Sequence, residues 1–130
     1  MIKQIINIDN YWEVIVYYDI DYNFFNDIVK ELNYLNAPVE EIDKIYYTMK
    51  HKAKAFTYSN LKYRVSIVGF NKHFDKYDYI NSIIHEAEHI KQHILMSYKV
   101  IDEGEPPAYT VGYVATKMLQ LKLGKFKLLR

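Results

Sequence analysis

From Asp75 to Tyr98 the apolar residues Ile80, Ile83, Ile84, Ala87, Ile90, Ile94 and Tyr98 recur at spacings of three and four, which is the period of one face of an α-helix. A helix of about Lys76 to Tyr98 must bury that stripe against something, so the rest of the chain has to supply a matching apolar surface. Asp75 is placed to cap the helix, Asp78 adds negative charge to the first turn, and Phe74 is placed to staple onto Tyr79.

Ahead of this helix, Tyr11 to Tyr18 is rich in aromatic and β-branched residues and reads as a strand, with turn chemistry following over Asp19 to Asn23. A helix is expected from about Asn23 to Leu35, with Phe24, Ile28, Leu32 and Leu35 on one face. Pro38-Val39-Glu40-Glu41 resembles the acidic first turn of another, running to about Lys50. Lys54 to Tyr58 and Tyr63 to Phe70 are strand-like runs joined through Ser59-Asn60-Leu61-Lys62, the form of a hairpin. Pro106-Pro107 is tolerable only inside a first helical turn, so a last helix should run from about Glu105 to Leu121, with Gly124 marking its end. No linker or repeat divides the chain. The expectation is one α+β domain over residues 1–130, with a small antiparallel sheet packed against the long helix and the C-terminal helix.

Composition removes several classes of function. Seventeen Lys and Arg against sixteen Asp and Glu give a net charge of +1, so no global field collects nucleic acid or an anionic membrane, and neither is expected as a partner. The absence of cysteine removes disulfides, thiolate nucleophiles and Cys-based metal sites, which leaves His and carboxylate as the available ligands. Met1 to Asp9 does not read as a signal peptide, and no apolar run approaches the roughly 20 residues of a membrane span, so a cytoplasmic location is expected. Fourteen tyrosines fit either AT-rich coding or an aromatic binding surface.

The long helix carries His85-Glu86-Ala87-Glu88-His89, a match to H-E-x-x-H. Residues four apart in a helix share a face at a separation of about 6 Å, so two imidazoles can converge on one Zn²⁺. Glu86 projects beside them, able to take a proton from a metal-bound water whose pKa zinc lowers to about 7. A plainer account is also coherent: on a helical wheel the two histidines lie roughly opposite the isoleucine stripe, where solvated residues belong.

Glu105 is the candidate third ligand, since the intervening chain is long enough to finish one helix and start a second beside it. The small residues Ala108, Gly112 and Ala115 would permit the close helix approach that a short Glu reach requires. Alternatively, Glu105 is a first-turn carboxylate favoured by the helix dipole. Tyr109, one turn on, could donate to the oxyanion of a tetrahedral intermediate or be an ordinary core aromatic. His93 continues the series, but about 12 Å along the axis from His85 it is too distant to share a tetrahedral zinc. His51 and His73 lack ligand spacing and read as surface residues.

These residues resemble those of the zincin metallopeptidases, in particular the gluzincin branch, in which H-E-x-x-H is followed by a Glu on the next helix. Asn81 to His89 followed by Gly104 to Tyr113 is similar to small predicted metallopeptidases of bacteriophages and gut-bacterial mobile elements, over about residues 63–116. The resemblance implies a minimal zincin-like domain, His85, His89 and Glu105 as zinc ligands, and Glu86 as general base of peptide hydrolysis. It also implies an edge strand, expected at Tyr63 to Phe70, along which an extended peptide substrate pairs. The chain departs from larger gluzincins in lacking the second domain that makes the other wall of their cleft, which points to narrow specificity. Two alternatives stay open: a zinc-binding, non-catalytic interaction protein of a phage or mobile element, and a metal-free helical protein binding a partner through its tyrosines.

Overall fold

The chain begins with a strand that the sequence reading did not contain. In the computed structural model, which describes residues 1–123, β1 (Ile2–Ile8) pairs antiparallel with β2 (Trp12–Tyr18). The turn between them uses Asp9 and Asn10 at φ 48° and 62°, closed by the Tyr11 N–H on the Ile8 carbonyl at 3.0 Å. Asp and Asn are the non-glycine residues that tolerate this left-handed backbone best. A single 3₁₀ turn, Tyr22–Phe24, leads into α1 (Phe25–Tyr34), and α2 (Val39–His51) follows. The strands β3 (Ala55–Asn60) and β4 (Val65–Phe70) form the expected hairpin, and α3 (Lys76–Tyr98) and α4 (Glu105–Leu123) complete the described chain. The expected stop at Gly124 lies outside the described residues.

The α+β class holds, but the sheet is mixed rather than antiparallel. Its order is β1-β2-β4-β3, and the central β2–β4 pairing is parallel, with Val14 opposite Ser66 and Val16 opposite Val68. The cause is the connection from Tyr18 to Val65, which carries α1 and α2 across one face of the sheet and so returns β4 in the same direction as β2. Topology also moves the expected edge strand. Tyr63 to Phe70 contributes β4, which is interior, and the edge beside it is β3.

Strand alternation sorts the core into two layers. Trp12, Val14, Val16 and Tyr18 of β2, with Val68 and Phe70 of β4, pack on Tyr79, Ile83, Ala87, Ile90 and Ile94 of α3 and on Val114, Ala115 and Met118 of α4. Ile15 and Tyr17, with Phe56 and Ile67, face Phe25, Ile28 and Leu32 of α1 and Ile42, Ile45 and Met49 of α2. Helices therefore cover both faces, which is why β2 carries a continuous apolar run.

The long helix has the predicted bounds. Asp75 caps it by accepting from the Tyr77 N–H at 2.9 Å, and Lys99 ends it in the left-handed region at φ 56°. Two expectations about it fail. Phe74 is fully exposed and staples nothing, because the His73 ring occupies the face of Tyr79, with centroids 4.3 Å apart. His73 is thus a half-buried bridge between the Asn71 carbonyl and the Ser82 hydroxyl, not a surface residue. Ile84 is exposed, and the buried stripe runs through Tyr79, Ile83, Ala87, Ile90 and Ile94. Past the helix end, the Lys91 ammonium lies 2.6 Å from Glu88 and 2.8 Å from Asp102, pinning the loop that leads to α4.

Gly69 marks the closest approach of sheet and side chains: a Cβ there would overlap the Phe56 ring and come within 2.9 Å of Ile20. Gly69→Ala is expected to cost about 1–3 kcal/mol through overpacking, read as a lower urea midpoint with an unchanged m-value.

Candidate metal centre

Docking of the α3 stripe onto the sheet fixes the rotation of the helix. It leaves His85, His89 and His93 along one side of α3, over the β3 edge, with Glu86 turned partly beneath them. The ligand atoms of His85, Glu86 and His89 lie within 4.8 Å of one another. The two Nε2 atoms are 3.1 Å apart, close to the roughly 3.3 Å that two nitrogens span across a tetrahedral zinc with bonds of about 2.0–2.1 Å. His85 is exposed and His89 half-buried, so the pair is open to a ligand from the groove.

Glu86 distinguishes this arrangement from an ordinary solvated helix face. It is only 5 % exposed, and burying a carboxylate is costly unless its oxygens are hydrogen-bonded. Thr57 of β3 donates to its Oε1 at 2.8 Å, which ties the helix to the edge strand and orients the carboxylate. Thr57 had no role in the sequence reading. Its signal was available, because alternation along β3 puts Thr57 and Ser59 on one face and Phe56 and Tyr58 on the other.

The histidines open onto a groove of about 380 Å³ between α2 and α3. Its floor is Ala55, Phe56 and Thr57, and its opposite wall is Glu41, Lys44 and Thr48 of α2. The groove is therefore walled on both sides by helices of this chain. His93 also lines the groove, its ring centroid 6.4 Å from that of His89. Burial, and then the neighbouring His89, push the His93 imidazole below the usual histidine value and so favour its neutral form.

The structure does not bring Glu105 or Tyr109 to this cluster. Glu105 is exposed at the start of α4 and is absent from both the His85–Glu86–His89 group and the groove lining. Tyr109 is 63 % exposed and stacks on Tyr113, with ring centroids 6.3 Å apart, in a separate depression with Gly112 and Lys117. The small-residue argument fails at Gly112, where an added Cβ would meet nothing within 4 Å. Ala108 is likewise exposed, and of the three only Ala115 is buried. No family model, curated protein or solved structure matches the chain. Among the described residues, no helix is long and apolar enough to cross a membrane.

Thr57→Val keeps the shape of the side chain but removes the donor to a buried carboxylate. It is expected to lower stability by about 1–3 kcal/mol in urea denaturation at neutral pH. An unchanged midpoint would show that Glu86 does not depend on that bond.

Proposed function

We propose that this chain is a zinc-dependent peptidase whose metal is held by His85 and His89. The observation that carries the reading is the convergence of their Nε2 atoms beside a buried carboxylate anchored by Thr57. Imidazole nitrogens and carboxylates without thiolates suit zinc. Zinc held there would supply a Lewis acid that polarises a peptide carbonyl and acidifies water. Glu86 takes a proton from the attacking water and passes it to the departing amine nitrogen. The carbonyl carbon gains a C–O bond as its C–N bond breaks, leaving a carboxylic acid and an amine, and the acid's remaining proton passes to the amine to give a carboxylate and an ammonium.

The outer edge of β3, which has no strand partner among the described residues, gives the substrate a place to lie. An extended peptide that adds to this strand through its backbone would run along the groove beside His85 and His89, with α2 on its other side. Glu105, which the structure leaves outside the cluster, is one proposed third ligand. Glu41, already in the groove wall, competes for that place.

The test of function is a peptide library digested by zinc-loaded protein and read by mass spectrometry. Wild type is expected to cleave, and Glu86→Gln to retain zinc while losing about 10²–10⁴-fold in kcat. Zinc binding without cleavage by wild type would favour the non-catalytic interaction protein instead. For the third ligand, chelator competition should show Glu105→Ala weakening zinc binding by more than the roughly 10–100-fold that loss of an outer partner costs. Such a loss in Glu41→Ala alone would transfer the role to α2.

A further inference from the structure

Among the described residues His93 is the one groove histidine outside the proposed metal pair, and a chain of hydrogen bonds reaches it from the core. The Trp12 indole Nε1 donates to Ser66 Oγ at 2.9 Å, Ser66 Oγ lies 2.6 Å from Ser59 Oγ, and Ser59 Oγ lies 2.6 Å from His93 Nδ1. The direction of this chain follows from its first member, because an indole N–H only donates. Ser66 is completely buried and accepts from Trp12. Among the described residues its hydroxyl has one other partner, Ser59. Ser66 therefore donates to Ser59, and the Ser59 proton, which among the described residues has no other acceptor, is donated to Nδ1. The opposite direction would strand the Ser66 proton in the core without an acceptor.

An Nδ1 that accepts leaves the proton of the neutral ring on Nε2. Among the described residues Nε2 has no protein acceptor, and no buried side-chain nitrogen or oxygen lacks a partner, so Nε2 is open to the solvent of the groove. It stands one helical turn beyond His89 on the same side of α3. We infer that His93 presents its Nε2–H into the groove as a fixed donor to the carbonyl oxygen of the peptide bond being cleaved, a role that rests on the peptidase reading. A donor oriented before the substrate arrives stabilises the negative charge that this oxygen gains, without reorganisation during the reaction. The role that the sequence offered to Tyr109 passes to a histidine that lines the groove.

Two measurements test this on the full chain. ¹⁵N NMR of the histidine rings, in metal-free and zinc-loaded protein, should show a pyrrole-type Nε2 and a pyridine-type Nδ1 for His93, and a mixture of tautomers in Ser59→Ala. With the fastest-cleaved library peptide, His93→Phe should keep zinc content and KM while kcat falls about 10²–10³-fold, and His93→Gln, which restores an N–H donor, should recover part of the loss. An Nδ1–H tautomer in wild type, or a zinc-loaded His93→Phe with kcat within about twofold of wild type, overturns the inference and leaves the peptidase reading standing. Wild type that binds no zinc or cleaves no peptide overturns both.

Discussion

The rotation of α3 about its own axis is the constraint on which the site depends. Ile83, Ala87, Ile90 and Ile94 must meet Val14, Val16, Val68 and Phe70, and the helical period then fixes where every other side chain of the helix points. His85, His89 and His93 fall over the β3 edge, and Glu86 falls at the border of the buried stripe. A different rotation would expose isoleucines and bury imidazoles, at a cost of about 1.5–3 kcal/mol for each large apolar side chain returned to water. The two imidazoles are thus brought together by apolar packing on the opposite side of the helix.

Polar groups on the helix-facing side of β3 and β4 complete what packing begins. Thr57 fixes Glu86, while Ser59 and Ser66 link His93 to the Trp12 indole. Small hydroxyl residues let the helix sit close to the strand and still satisfy the buried polar atoms between them. Among the described residues the same edge strand has no partner on its outer side, so the element that orients the proposed base would also offer pairing to an extended peptide.

Local signals in the sequence carried the helices and their ends. The Asp75 cap and the isoleucine period gave α3 its bounds, and Pro106-Pro107 marked the first turn of α4. The H-E-x-x-H spacing placed His85, Glu86 and His89 together, because contacts four residues apart in a helix are set by the helix alone. What depended on pairing between distant segments was hidden. Ile5 takes an outward position of β1 beside Lys3 and Asn7, which blurs the apolar pattern of that strand, and the interior position of β4 follows from a crossover that no local pattern encodes. Chain separation and small residues point to Glu105, and helical spacing from it to Tyr109, whereas the groove is closed by α2 and β3, which lie earlier in the sequence.

Metal content decides whether the two imidazoles on α3 hold an ion. Elemental analysis of untagged protein should find about one zinc per chain in wild type and none in His85→Ala or His89→Ala. A folded wild type that stays metal-free after zinc is offered at neutral pH would contradict the account and leave the convergence of the two rings without a chemical role.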